Sequence, residues 1–171
     1  NTYDTDCDIQ IQQKLVDAEN ESRKISKRVK RGHQKSIQKG HVLGCRMWGY
    51  KKQNCKLVID EATAPMVRQI FELYATNQYS MKEIEEIIYQ EGYRNTNGNR
   101  LSHTTMSNII TNPKYKGYFG GGKVKVIDIF NKRQKFLPEE EWLMYKDEDG
   151  TTVPALVSEE LWQAANEVFQ R

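Results

Sequence analysis

Residues 22–59 read SRKISKRVKRGHQKSIQKGHVLGCRMWGYKKQNCKLVI and contain twelve Lys or Arg residues but no Asp or Glu. In contrast, residues 1–21 carry six acids against one base, and residues 60–171 carry seventeen acids against thirteen bases. The formal net charge of +3 therefore conceals a strongly basic segment between two acidic ones. Concentrated positive charge repels itself, and it is typical of segments that bind a polyanion such as a nucleic-acid backbone.

A basic segment can also be a solvated helix face without a ligand. Such faces usually interleave acids with bases at a spacing of four residues, where each pair stabilises the helix. Here the acids are excluded from the whole of residues 22–59. The pattern therefore favours a nucleic acid, DNA or RNA, as the partner.

The composition indicates one compact domain with an extended appendage, since 37% of the 171 residues are hydrophobic. No apolar run is long enough to cross a bilayer and no signal peptide opens the chain, so we expect a soluble, cytoplasmic protein without a membrane partner. The cysteines Cys7, Cys45 and Cys55 form no CxxC pair, and His33 and His41 supply no short-spaced pair with them. We therefore expect no disulfide framework, no metal site and no cofactor.

The N-terminal residues predict one long helix, because no proline interrupts residues 6–39. A heptad-like seam of apolar or small residues runs along it, at Ile11, Leu15, Ala18, Ser22, Ile25 and Val29. About thirty helical residues span about 45 Å, more than a small domain needs for its own core. We expect this heptad seam to pack on another subunit or domain, although packing on the chain's own core is the alternative. Gly32 and Gly40 are expected to loosen the helix at its end.

A basic linker is predicted at residues 41–58, with an extended stretch at 41–50 (HVLGCRMWGY). Basic linkers that contain glycine can lie in a minor groove, whose narrow width attracts arginine, and Arg46 is the candidate for that position. Trp48 and Tyr50 could stack on bases. We prefer the interpretation that both are aromatic anchors, which pack the chain back onto its core.

Local signals predict three helices after the linker. The first covers residues 60–75 with Asp60 as its N-cap. The second opens with Ser80 and Glu83, which have the spacing of a capping box. The third is short, and Ser102 is its expected N-cap.

The second and third helices are separated by a polar loop, as in a helix-turn-helix with a lengthened turn. The short third helix should present small hydroxyl and amide groups suited to base edges, at His103, Thr104, Ser107 and Asn108. We name this helix the candidate reader helix. An ordinary helical hairpin in a core explains the same pattern equally well.

Alternating apolar residues at 123–129, with 132–137 and 141–145, predict short antiparallel strands. Ser158 then caps a last helix that runs to Arg171. The predicted fold class is α+β: a long N-terminal helix, then a mainly helical DNA-binding domain with a small antiparallel sheet.

Taken in order, six segments of the chain resemble the large serine recombinases, the site-specific integrases and transposases of mobile elements. They are ENESRKISKRVKRG at 19–32, WGY at 48–50, IDEATAPMVRQIFELY at 59–74, YSMKEIEEII at 79–88, GYRNTNGNRLSHTTMSNIITNPKYKG at 92–117 and VPALVSEELWQAANEVFQR at 153–171. Each segment alone is a weak signal. Six in the right order and at the right separations form a specific one.

The resemblance implies three regions. Residues 1–40 would be the helix that ends the catalytic domain, pairs subunits in the full-length protein and contacts DNA. Residues 41–58 would be the basic linker, and 59–171 the recombinase DNA-binding domain, which binds double-stranded DNA at an attachment site or element end. In this family a serine attacks a backbone phosphate to form a phosphoseryl-DNA link. We expect the catalytic domain that carries this serine to lie upstream and to be absent here, so we assign no catalytic residue.

The residues that we expect to contact DNA divide into two sets. The basic side chains that suit phosphate groups are those of Lys24, Lys27, Arg28, Arg31, Lys35, Lys39, Arg46, Arg94 and Arg100. Side chains that suit base edges are those of the candidate reader helix, His103, Thr104, Ser107 and Asn108. Three other readings stay open: a stand-alone transcription regulator with a dimerising helix, an RNA-binding module, and a structural interaction helix without nucleic acid.

Overall fold

The computed structural model describes residues 2–44, 47–128, 131 and 133–171, with the backbone alone at 2–6 and 139. Its helices and short antiparallel strands confirm the α+β class. The chain forms two compact units, one of residues up to Lys39 with Gly121–Leu143 and one of Gly40–Gly120 with Met144–Arg171. None of the helices described is both long enough and apolar enough to span a membrane.

The predicted long helix is confirmed as α1, which runs over Thr2–Gln38. Its 37 residues extend about 56 Å at 1.5 Å per residue. The expectation that Gly32 loosens this helix is wrong, since Gly32 lies inside it and only Gly40, with φ of +74°, follows its end. A single glycine costs a helix about 0.5–1 kcal/mol relative to alanine, which its helix-forming neighbours offset.

The heptad seam of α1 is open to solvent. Leu15 is 61% exposed, and Ile11, Ile25 and Val29 are 48–50% exposed. The alternative that the seam packs on the chain's own core is therefore wrong. Apolar residues at this spacing remain as a continuous stripe that a second helix could cover.

A β-hairpin occupies part of the predicted linker. Strands β1 (Tyr50–Gln53) and β2 (Lys56–Ile59) pair antiparallel. Asn54 and Cys55 form the two-residue turn, and both have positive φ, as a type I′ turn requires. The linker backbone joins this hairpin where Val42 N–H donates to the Cys55 carbonyl at 2.8 Å. The sequence had indicated only an extended chain here.

Helix α2 covers Ala64–Ala75, with Thr63 at its N-cap position. The prediction that Asp60 caps this helix is wrong by one turn. The Asp60 carboxylate instead accepts hydrogen bonds from Ala62 N–H and the Thr63 hydroxyl, and forms an ion pair with Lys51 at 2.8 Å. Asp60 therefore closes a separate turn between β2 and α2.

The caps predicted for the next two helices are confirmed. Helix α3 (Met81–Gln90) opens with a complete capping box between Ser80 and Glu83. Helix α4 (His103–Ile110) is the candidate reader helix, and its N-cap Ser102 accepts from Thr105 N–H at 3.3 Å. Both caps satisfy backbone donors that a helix start leaves free.

The last helix, α5 (Glu159–Gln170), begins at the predicted cap Ser158, which accepts from Leu161 N–H at 3.2 Å. It packs against α2 and α4. The buried core of this unit includes Ile70 and Phe71 of α2, Ile84 of α3 and Ile110 of α4, each at 0% exposure. The four helices therefore share one apolar core.

Short strands lie between α4 and α5, as predicted. β4 (Val124–Asp128) pairs antiparallel with β5 (Arg133–Phe136), and β6 (Leu143–Lys146) pairs with β3 (Tyr118–Gly121). The sequence did not predict β3, whose two glycines are uncommon in strands. Two 3-10 turns, Pro113–Lys116 and Glu139–Glu141, complete the elements. The predicted strand positions Ile129 and Lys132 lie outside the described residues.

Candidate nucleic-acid interface

The predicted phosphate-contacting residues of α1 form one stripe along the helix. At 100° per residue, Lys24, Lys27, Arg28, Arg31 and Lys35 fall within an arc about 100° wide and span about 17 Å. We call these five residues the basic stripe. Lys39 follows it in the turn after α1, where its N–H donates to the Lys35 carbonyl at 3.1 Å. The stripe therefore places five positive charges on one side of the rod.

The basic stripe is available to a ligand. Every one of its side chains, and that of Lys39, is exposed. Within the described residues, the ion pair on α1 joins Arg23 to Glu19 at 3.7 Å, and none involves the stripe. The heptad seam is centred about 150° around the helix from the stripe. One face of α1 is thus cationic and the nearly opposite face is apolar.

Within the second unit, lysine side chains hold the start of the linker by donating hydrogen bonds to its backbone carbonyls. Lys114 Nζ donates to the Leu43 carbonyl at 3.0 Å, and Lys52 Nζ donates to the Gly44 carbonyl at 2.8 Å. These bonds fix the path of the linker just before Arg46. Arg46 itself, predicted to enter a minor groove, lies outside the described residues.

The structure confirms the prediction that Tyr50 is an aromatic anchor. It is 5% exposed, its ring stacks on Tyr115 with centroids 5.7 Å apart, and its hydroxyl donates to the Pro154 carbonyl at 2.6 Å. The Tyr115 hydroxyl donates to the Trp48 carbonyl at 2.9 Å. Burial raises the pKa of both phenols, which keeps them neutral hydrogen-bond donors.

An open groove of about 820 Å³ lies beside this anchor, lined by residues that include Met47, Trp48, Lys51 and Thr96. Its lysine charge is partly neutralised, because Lys51 pairs with Asp60. The hydrogen bond from Lys51 is also the main reason that the pKa of Asp60 lies below its ordinary value. The groove therefore offers an aromatic and polar surface more than an electrostatic one.

On the candidate reader helix, three of the four predicted base-contacting residues face solvent. His103, Thr104 and Asn108 are exposed. Ser107 is half-buried, and its hydroxyl lies 3.9 Å from the Met81 sulfur of α3 and 3.4 Å from His103 Nδ1. The expectation that Ser107 points outward is therefore corrected: it packs on α3 and holds the His103 ring.

Arg94 and Arg100 are already engaged within the second unit. The Arg94 guanidinium lies 3.5 Å from the centre of the Tyr89 ring and donates to the Tyr89 and Tyr93 carbonyls. Arg100 forms an ion pair with Glu86 and lies 4.7 Å from the same ring. Both arginines fasten the loop between α3 and α4 to α3. Their contact with phosphates stays a prediction.

The sequence reasoning missed a second basic element, the β4–β5 hairpin. Residues 123–135 contain five bases and one acid, but the acids that follow hide this charge when residues 60–171 are counted together. Lys125, Arg133 and Lys135 are exposed. A charge count over windows of about a dozen residues would have found the element.

Over the described residues, no group of three or more His, Cys, Asp or Glu side chains is arranged to hold a metal ion. Cys7 and Cys55 are free and exposed.

Comparison with known proteins identifies the family. The profile of the family named Recombinase matches residues 61–171, which is more than half of the chain. The chain therefore belongs to the recombinase family, which confirms its resemblance to the large serine recombinases. A search of curated protein sequences found no match.

Two solved structures share the fold. One, described as "Crystal Structure of a LSR-DNA Complex", is 22% identical with a TM-score of 0.57, over 84% of this chain and 38% of that one. The other, described as "Sequence Requirements of the Listeria innocua prophage attP site", is 21% identical with a TM-score of 0.60, over 84% of this chain and 51% of that one. The present chain thus spans about half or less of the length of these relatives.

Proposed function

We propose that this chain is the duplex-DNA-binding part of a large serine recombinase, which integrates, excises or transposes DNA at an attachment site or element end. The observation that carries the proposal is the basic stripe of α1, exposed and without an ion pair in the described chain, in a protein whose following residues match the recombinase family. The proposal is also supported by two solved structures of similar fold, whose descriptions name a DNA complex and an attP site.

The division of labour follows from the two kinds of side chain. Lysine and arginine neutralise phosphates without regard to sequence, so α1 supplies affinity and orientation. The hydroxyl and amide groups on α4 can hydrogen-bond to base edges, so Thr104 and Asn108 supply sequence preference. In this proposal, strand cleavage through a phosphoseryl link belongs to another part of the parent protein, and the heptad seam of α1 associates with a second subunit.

Selection from a pool of random duplex DNA tests the proposal. We expect the pool to converge on a shared sequence that binds on the order of 10³-fold or more tightly than unselected duplex at the same salt concentration. A structured RNA hairpin should compete no better than unselected duplex. A pool that fails to converge, or an RNA hairpin that displaces the selected duplex, would contradict the proposal.

A further inference from the structure

We propose that the β4–β5 hairpin is a further DNA-contacting surface, which binds sugar-phosphate through Lys125, Arg133 and Lys135. The inference rests on the proposed function and extends it to an element outside α1, the linker and α4. Residues 123–135 carry five bases against the single acid Asp128. The charge density of this hairpin is therefore comparable to that of residues 22–59.

The strand register places the three cations on one face. Lys125 lies directly opposite Lys135, and side chains that are opposite in an antiparallel pair share a face. Arg133 is two residues from Lys135 on β5, and alternation along a strand puts it on the same face. All three side chains are exposed, and no ion pair joins them to an acid in the part of the chain that the structure describes.

Two lysines directly opposite each other destabilise a hairpin, because like charges repel across the strands. The nearby acid does not relieve this pair, since Asp128 lies opposite Arg133 and accepts hydrogen bonds from Asn131. An external polyanion would remove the repulsion. The register thus leaves the Lys125–Lys135 pair with no acid directly opposite either lysine.

The other face of the hairpin is apolar, with Phe136 at 77% exposure opposite Val124. An exposed aromatic could contact a protein partner, but the three cations lie on the opposite face of the hairpin, and lysine is depleted from the cores of protein interfaces, so that cationic face does not suit a protein partner. A two-stranded ribbon fits the major groove, which is about 12 Å wide, and ribbons are known to bind DNA in either groove. The charge therefore favours DNA over a second copy of the chain.

The test compares two variants that each lose two positive charges. K125Q/K135Q removes the opposed lysines, and K14Q/R171Q removes exposed bases outside every proposed contact. Binding to a selected duplex is measured between 50 and 200 mM salt. We expect the hairpin variant to lower the slope of log K against log salt by about 1.8, at about 0.9 per phosphate contact, whereas the control stays within about 0.3 of wild type.

Each outcome is decisive. If wild type binds but the hairpin variant behaves like the control, the hairpin proposal fails and the proposed function stands. If wild type binds no duplex, both fail. A third arm measures sedimentation of K125Q/K135Q: loss of self-association with unchanged DNA binding would make the cationic face a protein interface and overturn the proposal. Thermal unfolding of K125Q/K135Q should show equal or higher stability, which separates lost contacts from lost folding.

Discussion

Asn166 joins the candidate reader helix to the rest of its unit. It is 7% exposed, and its side-chain amide donates to the Ile110 carbonyl of α4 and to the Trp162 carbonyl, both at 2.9 Å. The Ile110 carbonyl is at the end of α4, where a helix leaves acceptors unpaired. Asn166 therefore satisfies a helix end and fixes the distance between α4 and α5.

Replacing Asn166 with alanine should lower the free energy of unfolding by about 1–3 kcal/mol, because the buried Ile110 carbonyl at the end of α4 loses its side-chain donor. Urea denaturation followed by circular dichroism measures the change. Gln163→Ala, at an exposed position three residues earlier on α5, is the control and should stay within about 0.5 kcal/mol of wild type. Equal stability of the two variants would show that the amide bonds contribute nothing.

The sequence predicts helix caps well, because they depend on residues close together along the chain. Ser80, Ser102 and Ser158 were each recognisable because a cap and its target are three residues apart. Asp60 was misplaced because its carboxylate is held by Lys51, nine positions earlier, across a turn that no local pattern marks. The inward turn of Ser107 was missed for the same reason, since Met81 is distant in sequence.

Among the elements, α4 is the one that should distinguish sequences. Thr104→Ala with Asn108→Ala removes two exposed polar groups without touching the core. We expect binding to the selected duplex to weaken by about 1–3 kcal/mol per lost base contact, while binding to unselected duplex is unchanged. Competition titrations with both duplexes measure the difference.

Gln90→Ala, an exposed change on α3, is the matched control for this prediction and should leave both affinities unaltered. Equal losses on selected and unselected duplex would show that α4 contacts only the backbone. No loss on either duplex would show that α4 is an ordinary core helix, the alternative that the sequence left open.

The periodicity of the sequence predicted all five α-helices of the described residues, α1 to α5, because each has an apolar stripe and most have a recognisable cap. It did not predict the β1–β2 hairpin, whose turn residues Asn54 and Cys55 are not a common hairpin pair. Nor did it predict β3, where glycines hide the strand pattern. In addition, β3 pairs with β6, which lies far along the chain.

For the whole molecule, the exposed heptad seam predicts self-association. Leu15→Gln places an amide on the seam, whereas Val16→Gln makes the same kind of change at a neighbouring residue about 100° around the helix. Leu15 is 61% exposed and Val16 52%, so neither change disturbs a core. We expect Leu15→Gln to weaken association of the parent protein at least about tenfold.

Sedimentation equilibrium over a range of concentrations measures this association, and Val16→Gln should match wild type. Identical behaviour of the two variants would remove the seam as an interface. The contrast between adjacent residues excludes a general effect of polarity on α1.

The distribution of charge over the chain is the central claim, and the salt dependence of duplex binding tests it most directly. We predict that the affinity of the wild-type chain for duplex DNA falls with a log–log slope of about −4 or steeper, and that R28Q/R31Q/K35Q makes the slope shallower by about 2 to 3. A slope near zero, or a triple variant with the wild-type slope, would contradict the account of α1 as the helix that binds the phosphate backbone.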